Sequence, residues 1–401
     1  MRIIKAISVL LVSLILTLAA RQYLFCPQYV FEKGQHFSGE KWCNPYVGMD
    51  SSQWIKCNFH AHTKAWLGIT NGKGNAGDVW EAYERLGYGI HCVSDYEKIN
   101  TAFQDRPNYI SAYEHGYNIL KTHQLVLGDV DVVGLDYFFP QTLSNKQDLL
   151  RRLSANRENL VIVNHPSVRN GYRKSDFSNL TNYHCMEIAS PYQTSVAYWD
   201  EALSAGKPIF AVANDDIHNI FNSRGIGRFF TCVNSAEASQ TQVLNGFKQG
   251  RHYTMIAADI EGEGDEARTD RLKRQMPALS SFIFQNDSLC VRFSVQPLSV
   301  KFIGQDGVLL KSVQQDRTAH YKVRKEDTYV RTEVEFADGT LMYLNPVFRF
   351  GDEQPLERNF TAHFVIETWI TLLLNGIGCV LILSWVLLVY RIWKSDNKAK
   401  G

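Results

Sequence analysis

Two apolar runs, one at each end of the chain, limit its fold more than anything between them. From Trp369 to Val389 there are 21 residues without a charge, enough for a helix to cross about 30 Å of hydrocarbon. Only Thr371, Asn375 and Ser384 bring polar side chains into it, whereas a core helix would carry polar residues at a helical period. Residues 368–390 therefore read as a transmembrane helix. Arg391, Lys394, Lys398 and Lys400 follow, opposed by Asp396 alone, and the positive-inside tendency puts this basic tail, 391–401, in the cytoplasm. At the other end Arg2 and Lys5 precede 15 uncharged residues, Ala6 to Ala20, closed by Arg21. That run is short for a span and suits the apolar region of a secretory signal. Residues 1–22 read as a signal peptide or a retained signal anchor, and the sequence leaves both open. Either way the intervening chain is expected in the periplasm or outside the cell.

Composition removes several function classes. Lys and Arg number 42 and Asp and Glu 41, a net charge of +1, which gives no field to gather polyanions, so nucleic acid is not an expected partner. A mean hydropathy of -0.22 excludes a many-span transporter. Of eight cysteines, Cys379 lies in the predicted span, so at least one of the other seven stays unpaired or pairs between chains. Cys26 and Cys43 flank a loop containing Gly and Pro and could be bridged, worth about 3 kcal/mol for a loop of this size. Cys57, Cys92, Cys185 and Cys232 sit in strand-like runs and read as small buried hydrophobes. No C-x-x-C pair argues for structural zinc, and no feature names a protein partner.

Between the ends, residues 23–52 form a lead-in, and from Trp54 to Met255 short apolar runs alternate with helical patterns. This is the pattern of an α/β domain with parallel strands over 53–258. Ile55-Lys56-Cys57-Asn58-Phe59 leads into His60. Asp78 to Leu86 reads as a helix stopped by Gly87. Tyr88 to Val93 is the next strand, Leu160 to Val163 enters Asn164-His165-Pro166, and Ile209 to Ala213 enters Asn214-Asp215-Asp216. Mixed charge and two glycines make 259–276 a solvated linker or exposed helix. Short apolar runs separated by Asn286-Asp287, Gln305-Asp306-Gly307 and Asp338-Gly339 then make 277–350 an all-β sandwich, and 351–367 a second linker. The β region holds no ligand or nucleophile cluster and is assigned packing or the rim of the site.

The chemistry lies where apolar runs end. In His60-Ala61-His62-Thr63 the two imidazoles stand at i and i+2 of extended chain, so both can reach one ion. Asp216-Ile217-His218 repeats the spacing with an oxygen and a nitrogen ligand. His165 arrives at the end of another strand, and in a parallel α/β barrel such ends converge on one face. Glu114 and His123 lie between these elements. Imidazoles with carboxylates suit zinc, manganese, iron or cobalt, and seven candidate ligands are too many for one ion. Two cations sharing a carboxylate would bring the pKa of a water toward neutrality and clamp a phosphoryl or carbonyl oxygen, which makes hydrolysis the natural outcome. His91 and His184, inside strand runs, read as core. His115 could orient Glu114. His36, His252, His320 and His363 have no such setting.

The ordered series His60-Ala61-His62-Thr63, Val93-Ser94-Asp95, Tyr113-Glu114, His123, Asn164-His165-Pro166 and Asp216-Ile217-His218 resembles the polymerase and histidinol phosphatase (PHP) superfamily over about 52–256. The resemblance implies a distorted seven-stranded (β/α) barrel with metals at the C-terminal strand ends. By position His60, His62, Glu114 and Asp216 would hold one metal, and Glu114 would bridge to a second held by His123 and His165. Where that family often has Asp-His, this chain has Asp95-Tyr96, and where an Asp-Gly often follows the first motif it has Asn71-Gly72. Both changes remove ligands of a third metal, so two are expected. His218 is then left as a hydrogen-bond donor or proton shuttle, or a weak third-site ligand, and Asp95 as an orienting or metal-binding group. Gly250-Arg251-His252-Tyr253 with the later β region is similar to a branch containing carbaryl-type carboxylesterases.

Arg169, Arg173, Arg224 and Arg228 follow strand-end motifs and could bind an anionic substrate, Arg169 and Arg224 being preferred, since Arg suits phosphate or carboxylate. Lys64 and Trp66 could line the cleft. The reading is a membrane-tethered, extracytoplasmic hydrolase of a small-molecule ester, with a phosphoester first. Carboxyl ester or carbamate cleavage is the alternative, and a binding protein without catalysis the third.

Overall fold

Runs of four or five apolar residues become buried strands in the structure, a computed structural model that describes residues 2–129, 131–351, 354–361 and 364–398. One sheet has the order Ala112–His115, Gln124–Leu127, Leu160–Val163, Cys185–Ala189, Phe210–Ala213. Every residue in these strands is buried, which explains unbroken apolar runs such as Leu160–Val163 and Phe210–Ala213, while Ala112–His115 and Cys185–Ala189 also bury Glu114 and Glu187. The expectation of parallel strands holds here for the last three, and elsewhere for Trp54–Asn58 beside Ile90–His91. The first three pair antiparallel; for the first pair, the segment between His115 and Gln124 is too short for the crossover of a dozen or more residues that parallel pairing needs.

The second sheet has nine strands. Its path runs from Leu309–Gln314 through Ser299–Ile303, Tyr329–Glu335, Leu341–Phe350, His252–Ile256 and Phe229–Asn234 to Trp54–Asn58 and Ile90–His91, with Lys41–Cys43 beside Leu341–Phe350. It passes without a break from the strand that leads into His60 to the β-rich region after residue 277, through the register Tyr253 to Leu344 and Ile256 to Leu341. Leu279–Gln285, Ser288–Phe293 and Thr318–Lys322 form a separate three-stranded sheet. The two large sheets meet at both edges. A parallel bridge joins Tyr96 to Glu114. At the other edge the Thr231 hydroxyl accepts from Ala213 N at 3.0 Å and donates to Ala213 O at 3.2 Å. The (β/α) arrangement is thus two sheets joined by single bridges and side-chain bonds.

Helix Ala76–Arg85 begins at Asn75, whose side chain accepts from Asp78 N while Asp78 accepts from Asn75 N, a reciprocal cap. It buries Val79, Trp80 and Tyr83 against the sheet. The charged stretch after residue 259 holds helix Asp265–Asp270 and a π turn Arg271–Gln275, which bury Arg268 and Leu272.

The end runs form helices Arg2–Tyr23 and Thr368–Lys398, both long and apolar enough to cross a membrane. They lie side by side. Trp385 Nε1 donates to Ser13 Oγ at 2.9 Å, and a Cβ on Gly378 would stand 2.8 Å from Phe25, so this approach needs glycine. Where they end, strands Tyr29–Phe31 and Phe364–Ile366 pair antiparallel. Residues 399–401, with Lys400, lie outside the described residues, as does His363. The expected Cys26–Cys43 bridge is not formed: both are free thiols. Cys26 packs with Tyr137 and Leu149, while Cys43 belongs to the main core in the strand beside Phe348. Cys57, Cys92, Cys185 and Cys232 are buried, as small hydrophobes would be.

Candidate metal centre

The strands and their ends bring six side chains from five segments into one buried cluster. His60 and His62 leave strand Trp54–Asn58 on one face. His60 Nε2 lies 3.2 Å from Glu114 Oε1 and 3.2 Å from Asp216 Oδ1. His62 Nε2 lies 3.1 Å from Glu114 Oε2 and 3.2 Å from Asp216 Oδ1. These four residues each offer a ligand atom, all within 4.8 Å of one another, and Glu114, His123 and His165 form a second such set. In the second set Glu114 Oε1 is 2.9 Å from His123 Nδ1 and 3.4 Å from His165 Nε2. Glu114 belongs to both. His60 Nε2, His62 Nε2, Glu114 Oε2 and Asp216 Oδ1 are buried and make no hydrogen bond among the described residues. Hidden donors and acceptors without hydrogen bonds are costly, and a divalent cation would satisfy them. The residues present therefore fit a metal centre.

Local backbone aims these groups. His165 at φ 25° and Asp216 at φ 43° are in the left-handed region, where a residue other than glycine costs about 1–3 kcal/mol, a strain that gathers at functional sites. Gly116, at φ 132°, would place a Cβ 2.6 Å from the His123 ring. Only glycine leaves room for that imidazole.

A third carboxylate, missed in the sequence, braces the cluster from behind. Glu187, buried in strand Cys185–Ala189, stands 3.2 Å from His60 Nδ1 and accepts from His165 N at 3.0 Å and Asn214 Nδ2 at 3.0 Å. Its signal was one acidic residue in an otherwise apolar run. A carboxylate behind an imidazole fixes its tautomer and leaves the other nitrogen for a metal. Asn164 Nδ2 likewise donates to Glu114 Oε1 at 3.0 Å.

Burial opposes charge throughout, and the neighbours decide the outcome. Burial pulls the His60 pKa down, yet Asp216, Glu114 and Glu187 hold it well above the usual imidazole value. Burial pushes Glu114 up, but His60 and His123 keep it well below the carboxylate range. His123 follows burial and falls to about 4.

No known protein family matches this chain, and no curated protein sequence matches it. Two solved structures are similar to it. One is a two-domain protein from Bacteroides vulgatus containing a predicted PHP-like metal-dependent phosphoesterase, at 14% identity and a TM-score of 0.38, covering 79% of this chain and 99% of that one. The other is PsfC from Pseudomonas syringae, at 12% identity and a TM-score of 0.34, covering 55% of this chain and 95% of that one. Likenesses this remote assign nothing to the site.

The cluster opens into a cleft of about 320 Å³ lined by Asn71, Tyr96, Lys121, Arg169, Tyr192 and His218 together with His123, His165 and Asp216. His218 packs on His62 with ring centroids 4.3 Å apart. Its Nδ1 donates to Asp216 O at 2.9 Å, and its Nε2 is 3.5 Å from the Tyr96 hydroxyl. Burial and nearby His62 lower its pKa, so it is neutral near pH 7.

Several expected residues stand elsewhere. Both Asp95 oxygens accept from Thr63, from its N and its hydroxyl at 2.7 Å each. Asp95 thus holds the first motif in place beside His62. His115 does not orient Glu114, because adjacent strand residues face opposite ways; it contacts Gln124 Oε1 at 2.9 Å and Leu135 O at 2.8 Å. Arg224 is drawn away from the cleft to the carbonyls of Ile260 and Glu263 and to Asp259 at 3.6 Å, and Arg228 also pairs with Asp259. Arg173 and Lys64 are exposed outside the cleft lining. His91 is core, with its ring 4.3 Å from Trp80. His184 is half-buried beside Phe360.

Proposed function

We propose that this chain is a membrane-held, metal-dependent hydrolase of PHP type that cleaves a phosphoester outside the cytoplasm. The observation that carries the reading is Glu114, shared by two sets of buried nitrogen and oxygen donors, with His60 Nε2, His62 Nε2, Glu114 Oε2 and Asp216 Oδ1 left without a hydrogen bond among the described residues. His60, His62, Glu114 and Asp216 would hold one divalent cation, and Glu114, His123 and His165 a second; such donors suit zinc, manganese or iron. When bound, the cations supply Lewis acidity and a nucleophile at neutral pH.

The chain supplies the rest. Lys121 and Arg169 set positive charge at the cleft mouth, where an anionic ester enters. Glu187 holds His60 and His165 in position. His218 has its Nδ1 proton committed to Asp216 O, so its Nε2 lone pair faces Tyr96 and can take a proton during turnover. The apolar helices at both ends support attachment to a bilayer, and the basic residues flanking them support a cytoplasmic position for the termini.

The test is to purify the full chain, measure bound metal, and assay phosphomonoester, phosphodiester and carboxyl ester substrates beside His62→Ala. About two ions per chain and turnover lost in His62→Ala are expected. A metal-free protein whose turnover ignores His62 would overturn the reading, and carboxyl ester turnover alone would move the activity to the carboxylesterase class.

A further inference from the structure

Two exposed apolar loops flank Tyr96 at the cleft mouth, and one of them runs to the base of a terminal helix. In the first loop Trp66 Nε1 donates to Tyr96 O at 2.7 Å. Next to it Leu67 stands wholly in solvent and Ile69 is 87% exposed. Trp66 at φ 50° and Leu67 at φ 56° hold a left-handed backbone, which is uncommon for large apolar residues.

The second loop starts at Lys121, whose ammonium lies 5.4 Å from the centre of the Tyr96 ring. Ile119 N donates to Phe138 O at 3.1 Å, and both side chains are exposed. The next residue, Phe139, is gripped by the buried Gln22, which donates to Phe139 O at 2.9 Å and accepts from Phe139 N at 2.8 Å. Tyr23, at the end of helix Arg2–Tyr23, stacks on Phe139 with centroids 6.5 Å apart. An unbroken series of contacts thus joins the cleft mouth to the end of an apolar helix.

Large apolar side chains left in water at one place mark a surface that is covered in use. A protein partner would not need that surface to continue into an apolar helix. Apolar tips beside Lys64, Lys121 and Arg169 have the make-up of segments that rest in the headgroup layer of anionic bilayers.

We infer that both loops rest in the bilayer that holds the terminal helices, so that the cleft mouth faces the membrane and takes the anionic phosphoester headgroup of a lipid. This rests on the metal-hydrolase and membrane readings above and names the substrate class of that site.

The test uses the full chain with its metals, in phosphatidylcholine vesicles containing phosphatidate and a photoreactive lipid. Cross-links mapped to 66–69 and to 117–121 or 138–139 are expected. Leu67→Asn with Ile69→Asp, and separately Phe138→Ser, should slow phosphatidate hydrolysis about 10-fold or more, as expected from losing apolar anchorage. Both should leave turnover of water-soluble 4-nitrophenyl phosphate unchanged. Absence of cross-links in both loops, or equal rates on phosphatidate for wild type and both variants, overturns the inference. Release of the protein by alkaline carbonate overturns the membrane reading, and with it this one. Loop cross-links without turnover of either substrate uphold the membrane-facing surface and overturn the lipid substrate together with the phosphoesterase reading.

Discussion

Arg331 and the imidazoles of the metal centre are equally hidden from water, yet their surroundings differ. Arg331 sends Nε and an Nη to the two oxygens of Asp200 at 2.6 and 2.9 Å and lies 5.2 Å from the Trp199 ring. Its remaining nitrogen, Nη1, makes no hydrogen bond among the described residues but lies 3.6 Å from Glu333 Oε2, so the charge is paired within the protein. In the strand-end cluster, Glu114 and Asp216 each stand close to several imidazoles and keep oxygens without a hydrogen bond. Buried charge that completes itself holds parts of a fold together, whereas buried charge left open waits for a ligand.

The sharpest way to break this contrast is a pair of substitutions. Glu114→Gln should lower turnover roughly 1,000-fold, the scale of losing a principal electrostatic group, and lower bound metal below two ions per chain. Asp200→Ala should cost about 3–5 kcal/mol of stability and leave metal per folded chain unchanged. Metal analysis beside denaturant unfolding separates the two, and the contrast fails if both variants lose metal or neither does.

Buried histidines outside the cluster sharpen it further. Burial lowers His91 to about 4 and His252 to about 3. As pH falls below the unfolded value near 6.5, the unfolded chain takes up protons first, so stability drops until the folded pKa is reached. For His91 that loss is about 3 kcal/mol between those limits. His91→Gln should flatten that part of the curve of unfolding free energy against pH. A slope unchanged in His91→Gln would mean that His91 is not held neutral.

The smallest effect is expected at Glu187, which acts only through His60 and His165. Glu187→Gln should weaken metal affinity roughly 10- to 100-fold, read by competition with a chelator, and leave the ligand set intact at saturating metal. Unaltered affinity would make Glu187 part of the packing alone.

The sequence carried the outline of the site where chemistry coincides with local geometry. His60 and His62 are legible because extended chain turns i and i+2 the same way, and His165 and Asp216 because each follows an apolar run. Glu187 was legible in principle, since a carboxylate in a strand buried on both faces needs a partner. Asp95 was not, because an acid near a metal motif says nothing of the Thr63 bonds that occupy it. Arg224 went astray because its partners at 259–263 lie in a stretch whose local pattern gives no tertiary position. The antiparallel pairing of the first two strands was readable in the short link from Gly116 to His123.

The ribbon of Tyr29–Phe31 against Phe364–Ile366 ties the two terminal segments together immediately beyond their helices. Gln28 reinforces it, accepting from Glu367 N at 2.8 Å and donating its own N–H to Thr371 Oγ1 at 3.0 Å. A domain standing on one stalk could swivel and sample many heights. On the membrane reading proposed above, a domain clasped at two adjacent points would keep one stance, and whatever reaches its opening would come to it at that height and angle.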